Sequence, residues 1–227
     1  MKILVLNPPF GKDFCRSARW AAKSRGRVQR HPDWILIATA VLEKAHHHVK
    51  FIDAATLNLS EDVVKKILSD YNPELLICHT TTPTIYNDIH YAKLGKELCK
   101  SQTVLVGPHV SVMVEDTFAK SKGYVDIIAR GEYDYTLRDI ADGKKSEEIQ
   151  GISFLKDGQI INNPYRELLN VNELPFPSWR HIDPRWYKDV AKRYPFLTVL
   201  SGRGCFGQCT FCRDTPVMYG RKLRFRD

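Results

Sequence analysis

The sequence lacks an apolar run long enough to cross a membrane. Its 227 residues have a mean hydropathy of −0.33, and a spanning helix needs roughly 18 consecutive apolar residues. The apolar stretch within the N-terminal MKILVLNPPFGKD is too short for a signal peptide, and no small-residue cleavage site follows it. We therefore expect a cytoplasmic protein without a membrane span.

The sequence also lacks an evenly spread basic charge. The formal net charge is +8, but the excess lies in residues 12–30, where Asp13 is the only acid, and in residues 221–227. A protein that coats nucleic acid distributes cations over its whole binding face, so this pattern argues against nucleic acid as a partner. The basic segment 12–30 is either a solvated loop or a contact for anionic groups of a cofactor or substrate.

Short apolar, β-branched runs alternate with helical periodicity through the first 142 residues. The runs predict five strands, at residues 3–6, 49–52, 75–78, 103–106 and 125–129. Helices are predicted at residues 34–45, 60–70, 84–100, 111–121 and 134–142. Nearly continuous apolar strands suit a parallel sheet covered on both faces. The alternation therefore predicts an α/β fold, a doubly wound five-stranded parallel sheet of the flavodoxin-like or Rossmann-like type.

The remainder of the chain has a different pattern. Residues 151–161 predict a hairpin, residues 162–193 are an extended linker rich in Pro and Trp, and residues 196–200 predict a strand that leads directly into SGRGCFGQCTFC. We thus predict an α/β domain over residues 1–145, a hairpin and linker over residues 146–194, and the start of a second domain over residues 195–227.

Three of the six cysteines, Cys205, Cys209 and Cys212, lie close together on a glycine-bearing loop. Cysteines of a cytoplasmic chain rarely form disulfides, and three nearby thiolates can hold an iron–sulfur cluster or a zinc ion. Structural zinc sites take four protein ligands, whereas this loop has one Cys-x2-Cys pair and no His follows Cys212. A cluster with three protein thiolates leaves one iron open. The spacing favours such a cluster, with zinc or purely structural cysteines as alternatives.

SGRGCFGQCTFC resembles the cluster loop of radical S-adenosylmethionine (radical SAM) enzymes. The resemblance implies that Cys205, Cys209 and Cys212 ligate a [4Fe–4S] cluster and that Phe211 lies beside the adenine of S-adenosylmethionine. It also implies cleavage of that cosubstrate to a 5′-deoxyadenosyl radical, an electron donor such as flavodoxin or ferredoxin, and a partial TIM barrel that starts near residue 195.

Two flanking segments, LPFPSW at 174–179 and YGRKLRFRD at 219–227, resemble the radical SAM branch that carries an N-terminal cobalamin-binding domain. That branch includes the anaerobic magnesium-protoporphyrin monomethyl ester cyclase and many radical methyltransferases. Methyl transfer and anaerobic ring formation are therefore the two reactions that the resemblance implies.

The loops after the predicted strands carry the same resemblance. In open α/β sheets, ligands bind beyond the carboxyl ends of the strands, and here NPP, TTPT, GPHVS and RGEYDYTL resemble the cobalamin-binding half of the branch. The implied cobalamin contacts are Asn7, Pro8, Thr81, Thr82, Thr84, Gly107, His109, Gly131 and Glu132. Because the Asp-x-His-x-x-Gly motif is absent, no histidine of this chain is expected on cobalt. His90 is predicted on a helix surface, and residues 46–48 in a solvated turn.

The number of residues after the cluster loop limits the interpretation. A six-unit partial barrel needs on the order of 190 residues, whereas Cys212 is followed by residues 213–227. We therefore expect a fragment of a radical SAM enzyme, or one that works with a separately encoded remainder of the barrel. The alternatives are a non-catalytic cobalamin-binding module with a vestigial cluster loop, and a zinc-binding scaffold. The substrate and the catalytic residues stay unknown.

Overall fold

Seven strands form the central sheet of the computed structural model, which describes residues 1–17, 20–23, 26–212 and 214–227. In chain order the strands of the described residues are β1 (Lys2–Asn7), β2 (Phe14–Ser17), β3 (Trp20–Lys23), β4 (His48–Asp53), β5 (Leu75–His79), β6 (Gln102–Val106), β7 (Ile127–Ala129), β8 (Ile152–Lys156), β9 (Gln159–Asn162), β10 (Gly202–Arg203) and β11 (Arg224–Phe225). The central sheet has the order β4-β1-β5-β6-β7-β8-β9, and the first five strands in this order pair with one another in parallel. The predicted parallel α/β sheet is thus confirmed, with a flavodoxin-like strand order.

Helices cover both faces of the sheet, as doubly wound folds require. They are α1 (Asp33–Lys44), α2 (Glu61–Tyr71), α3 (Ile85–Cys99), α4 (Val114–Ser121), α5 (Asp134–Ala141) and α6 (Asp214–Tyr219). Alternate residues of each strand point to opposite faces, so Ile3 and Val5 pack with α1 and α5, whereas Leu4 and Leu6 pack with α2, α3 and α4.

Helix α3 lies unusually close to the sheet. A Cβ at Gly95 would stand 2.3 Å from Cδ2 of Leu76 in β5, so the absence of a side chain permits this approach. The close packing matters for the site because α3 carries Asp88 beside the carboxyl end of β5.

The predicted hairpin is confirmed, and it extends the sheet. Strands β8 and β9 are joined at Asp157 and Gly158, whose φ angles of 51° and 78° suit a two-residue hairpin turn. Strand β8 pairs antiparallel with β7. The central sheet therefore continues past residue 145, where the sequence predicted the α/β domain to end.

Residues 196–200 do not form the predicted strand. A strand needs a neighbouring backbone to complete its hydrogen-bonded ladder. In this part of the described chain the next paired strand is β10, which starts at Gly202 and pairs with β11. The sequence also gave no prediction for the β2–β3 hairpin or for α6. After β9 ends at Asn162, the described residues up to 193 contain two short 3-10 turns, Trp179–His181 and Pro184–Trp186, and no longer regular element. No helix in the described part of the chain has the length and apolarity to cross a membrane.

Candidate functional site

The carboxyl edge of the parallel strands contains the crevice where this fold binds ligands. The chain leaves β1 toward α1 on one face and leaves β5 toward α3 on the other, so the strand order reverses between these two neighbours. Such a switch point is where doubly wound sheets bind cofactors. A groove of about 530 Å³ opens beside it, between Lys12, Asn58 and Asn87.

A buried ion pair closes the bottom of this crevice. Nη1 of Arg16 lies 2.7 Å from Oδ1 of Asp88, and both side chains are fully buried. The same guanidinium donates to the carbonyl oxygens of Pro8 (3.1 Å) and His79 (2.6 Å), which lie at the ends of β1 and β5. Burial raises the pKa of Asp88, and Arg16 opposes that rise. Arg16 belongs to the basic segment 12–30, so this cation is neither solvated nor exposed to a ligand.

Other cations of the basic segment remain at the surface. Arg27 and Arg30 are exposed and lie 3.8 and 3.3 Å from the carboxylates of Asp13 and Asp189. Arg19 and Arg25 lie outside the described residues.

Asn7 takes part in a second buried network, at the ends of β1 and β4. Its Nδ2 donates to Oδ1 of Asp53 at 2.7 Å, and the hydroxyl of Tyr187 donates to Oδ2 of the same carboxylate at 2.8 Å. Burial raises the pKa of Asp53. This network fastens the linker onto the carboxyl edge, and it leaves Oδ1 of Asn7 as a buried acceptor without a hydrogen bond. The neighbouring Pro8 is also buried.

The three threonines predicted to contact cobalamin lie together after β5. Thr81 and Thr84 are buried, their hydroxyls lie 2.8 Å apart, and Oγ1 of Thr84 donates to Oδ2 of Asp88 at 2.7 Å. Thr82, between them, is exposed, and its hydroxyl lies 3.3 Å from Nδ1 of His109. The loop thus holds two threonines inward and presents the third at the edge.

The loops after β6 and β7 are held together by close backbone contact. Gly107 has a φ of 121°, and a Cβ there would stand 2.4 Å from the carbonyl oxygen of Thr80; this position therefore requires glycine. The Ser111 hydroxyl donates to the Gly107 carbonyl at 2.8 Å and accepts from the Gly131 N–H at 3.0 Å. Ser111 therefore connects the loop after β6 to the loop after β7, and Gly107, His109 and Gly131 are all buried.

Glu132 binds one arginine on each side of the cysteine loop: Arg203 before it and Arg224 after it. Its carboxylate accepts from Arg203 at 3.0 Å, from Arg224 at 2.9 Å and from the Leu169 N–H at 2.9 Å. Asp134 accepts from both terminal nitrogens of Arg203, at 2.6 and 3.0 Å. All of these carboxylates and Arg203 are buried. The structure thereby connects the loop after β7 to the cysteine loop.

The three cysteines lie on the loop between β10 and α6. The Cys205 N–H donates to the carbonyl of Gly220, which directly follows α6, and Cys209 is exposed. A Cβ at Gly207 would stand 3.4 Å from Sγ of Cys205 and 3.7 Å from Sγ of Cys209, so these two sulfurs face the same side of one glycine. No group of three His, Cys, Asp or Glu residues in the described ranges is arranged to hold a metal ion. Phe211, in the same loop, is 89% exposed.

His46 and His90 lie where the sequence predicted them, whereas the His47 side chain is largely buried and His48 is the first residue of β4. His46 has a left-handed φ of 63° at the turn between α1 and β4, and Nε2 of His47 lies 3.0 Å from Asp142. His90 is on the surface of α3, with Nε2 3.0 Å from Glu61. Residues 46–48 lie at the amino end of β4, opposite the carboxyl edge.

Several residues at the edge were not predicted from the sequence. Tyr86, Val112 and Met113 are large apolar side chains, 67%, 42% and 43% exposed; Tyr86 lies in the first turn of α3, and Val112 and Met113 directly precede α4. Exposed apolar groups are typical of a ligand or partner surface when they form a patch. Their positions directly after the TTPT and GPHVS motifs are the signal by which the sequence could have indicated them.

A cavity of about 340 Å³ lies between the start of α1 and residues 196–200. Burial raises the pKa of Asp33, which lines it, to about 7, although the hydrogen bond from the Thr198 hydroxyl opposes the rise. Burial also lowers the pKa of His31 to about 4. His31 packs against Tyr187, with ring centroids 4.2 Å apart, so the cavity adjoins the network of Asn7 and Asp53.

Comparison with known proteins identifies the family of the sheet domain. Residues 25–141 match the B12 binding domain family, which is just over half of the chain. The chain therefore belongs to the B12 binding domain family, and this membership supports cobalamin binding.

Curated relatives extend the similarity over the rest of the chain. An uncharacterised methyltransferase of Pyrococcus horikoshii is 29% identical over 99% of this chain and 47% of its own length. The anaerobic magnesium-protoporphyrin IX monomethyl ester cyclase of Rubrivivax gelatinosus is 25% identical over 86% of this chain and 37% of its own length. The chain thus spans less than half the length of these relatives.

Solved structures share the fold. OxsB, a cobalamin-dependent S-adenosylmethionine radical enzyme solved with aqua-cobalamin and S-adenosylmethionine, superposes with a TM-score of 0.74 over 100% of this chain and 30% of its own, at 21% identity. TsrM of Kitasatospora setae, a radical S-adenosylmethionine methyltransferase, gives 0.64 over 99% of this chain and 43% of its own, at 16% identity.

Proposed function

We propose that this chain is the cobalamin- and cluster-binding part of a cobalamin-dependent radical SAM enzyme that transfers a methyl group. The observation that carries the proposal is the contact between Glu132 and Arg203, which joins the loop after β7 to the residue two positions before Cys205. A domain of the B12 binding family thereby has a three-cysteine loop attached to its ligand-binding edge. Methyl transfer is preferred to ring formation because a relative that matches 99% of the chain is named as an uncharacterised methyltransferase.

The side chains exposed at the carboxyl edge suit a corrin chemically. Tyr86, Val112 and Met113 offer exposed apolar area to the macrocycle, while the exposed Thr82 offers a hydroxyl to its amide rim. The groove beside Lys12 offers space and a cation for the phosphate of the nucleotide tail.

Not all of the predicted cobalamin contacts have the same role in this proposal. Thr82 is exposed and meets the ligand, whereas seven of the predicted contacts are buried and hold the loops in position: Asn7, Pro8, Thr81, Thr84, Gly107, His109 and Gly131. Glu132 acts through Arg203 and Arg224 rather than through the corrin.

The cysteine loop fits a cluster by its donor set. Three thiolates are the ligands that a [4Fe–4S] cluster takes from protein when one iron stays open, and metal sites seldom form fully before the metal binds. When bound, such a cluster supplies the electron that cleaves S-adenosylmethionine. Gly207 leaves the space between the sulfurs of Cys205 and Cys209 free of a side chain, and the exposed Phe211 offers a ring to the adenine.

The proposal is tested by anaerobic reconstitution of the chain with iron and sulfide, followed by metal analysis and absorption spectroscopy. Wild type should bind about four irons, whereas Cys205→Ser, Cys209→Ser and Cys212→Ser should lose most of the iron. Cys99→Ser is the matched control, because Cys99 lies on α3 away from the loop and a serine can still donate to the Leu68 carbonyl.

Two results would support other functions. One zinc and no iron would support a zinc-binding scaffold. Binding of hydroxocobalamin without iron would support a non-catalytic cobalamin module with a vestigial loop.

A further inference from the structure

The loop after β7 and the cysteine loop share a buried, charge-balanced network. Arg203 and Arg224 supply two cations, and Glu132 and Asp134 supply two carboxylates, all within 3.1 Å of their partners. Arg203 is 4% exposed and Asp134 is 1% exposed. A buried charge without its partner is strongly unfavourable, so neither side keeps this geometry when the other side is absent.

The backbone between Arg203 and the first cysteine is short and closely packed. Only Gly204 lies between Arg203 and Cys205, and a Cβ at Gly204 would stand 2.1 Å from the Lys222 carbonyl oxygen. The ring of Tyr219 lies 4.7 Å from the Arg203 guanidinium and 4.6 Å from Trp34 of α1. The direction in which Cys205 leaves β10 is therefore set by the position of the Arg203 guanidinium.

The carboxylates of the network also lie next to the carboxyl edge, where we propose that cobalamin binds. Glu132 directly follows Gly131, whose N–H is bound by Ser111, and Asp134 is the first residue of α5. Ser111 also contacts Met218 of α6, with Oγ 3.7 Å from Sδ. Ordering of one loop therefore orders the other.

We propose that Arg203 is a positioning residue that couples the two cofactor sites, so that a cluster on the cysteine loop tightens cobalamin binding at the sheet edge, and the reverse. The inference rests on the proposed function. Coupling of this kind is reciprocal, and typical coupling factors are about 5 to 150 in affinity. We expect the positive sign because docking of the cysteine segment preorganises Gly131–Glu132 before the corrin arrives.

The test measures the hydroxocobalamin Kd of the full chain before and after anaerobic cluster reconstitution. Wild type should bind at least about five times more tightly with the cluster. Arg203→Met should reduce this ratio to near one, and Arg203→Lys, which keeps the charge but not the two-pronged contact, should give an intermediate ratio. Asp134→Asn weakens the same contact from the carboxylate side and replaces Arg203→Met if that variant does not fold. It should also lower the ratio.

Glu43→Gln is the matched control. Glu43 holds the linker to the last turn of α1 through Ser178, Arg180 and His181, at the opposite edge of the sheet, so this variant should keep the wild-type ratio. Hydrogen exchange gives a readout independent of activity: amides of residues 130–134 should become more protected on cluster loading in wild type and not in Arg203→Met.

The outcomes separate the two proposals. Failure of wild type to bind cobalamin or iron contradicts the proposed function, and the coupling with it. Binding of both cofactors with an unchanged Kd, or a wild-type ratio retained in both Arg203→Met and Asp134→Asn, overturns the coupling alone.

Discussion

The Arg16 guanidinium lies 2.7 Å from the Asp88 carboxylate at the switch point of the sheet, and neither side chain is exposed to solvent. We predict that Arg16→Met lowers the free energy of unfolding by about 3–5 kcal/mol, because it leaves a buried carboxylate without its cation. Urea denaturation measures the effect. The double variant Arg16→Met/Asp88→Asn removes both charges and should recover part of the loss; a double variant as unstable as the sum of the single ones would contradict the pairing.

The hydroxyl of Tyr187 fastens the linker to the carboxyl edge through Asp53. We predict that Tyr187→Phe lowers the free energy of unfolding by about 1–3 kcal/mol, since the buried carboxylate loses a donor. Tyr194→Phe is the matched control, because Tyr194 is exposed and its hydroxyl donates to the Arg185 carbonyl near the surface. Equal effects of the two variants in urea denaturation would argue against a specific role for the Asp53 contact.

Glycine at position 107 holds the loops after β5 and β6 together. We predict that Gly107→Ala costs more stability than Gly123→Ala, which has a positive φ of 84° but no atom within 4 Å of a new Cβ. The control pays the backbone strain alone, about 1–3 kcal/mol, whereas Gly107→Ala also collides with Thr80. Thermal unfolding tests the stability, and hydroxocobalamin titration should show weaker binding for Gly107→Ala than for the control. The reverse order would be inconsistent with a tight loop contact.

The Asp33 carboxyl makes stability depend on pH. Its pKa is about 7 in the folded chain, whereas an unfolded aspartate ionises near pH 4. Between these values the folded state holds a proton that the unfolded state has lost, so this group lowers the free energy of unfolding as pH rises from about 4 to 7. Asp33→Asn should therefore become more stable relative to wild type over this range, by about 2–4 kcal/mol in total.

Thr198→Val provides the complementary variant for Asp33. It removes the hydrogen bond that opposes the rise of the Asp33 pKa. The pH-dependent decrease in the free energy of unfolding should therefore extend to higher pH. Urea denaturation at several pH values measures both differences. A stability difference between Asp33→Asn and wild type that stays constant from pH 4 to 8 would contradict this account.

The sequence predicted the sheet because its signals are local. Most of the parallel strands carry a nearly continuous apolar run. The two residues Asp157 and Gly158 mark the hairpin turn. The loop motifs were also local, and the structure places Gly107, His109 and Gly131 at buried positions in the neighbouring loops after β6 and β7. Strand 196–200 was predicted wrongly because apolar β-branched composition does not reveal whether a pairing partner exists.

The ion pairs could not be predicted, because their partners are far apart in the sequence. Arg16 and Asp88 are 72 residues apart, and Glu132 and Arg203 are 71 apart. Nothing local distinguishes Arg16 from the exposed cations of its segment, or a carboxylate that binds arginine from one that binds a ligand. Such pairs become visible only once the fold brings them together.

Hydroxocobalamin titration of the full chain, with hydrogen exchange of the complex, tests the central claim most directly. The account predicts saturable binding of one corrinoid per chain, with new protection in the loops at residues 80–86, 107–113 and 130–133. Absence of binding, or protection confined to the amino edge around residues 46–48, would contradict it.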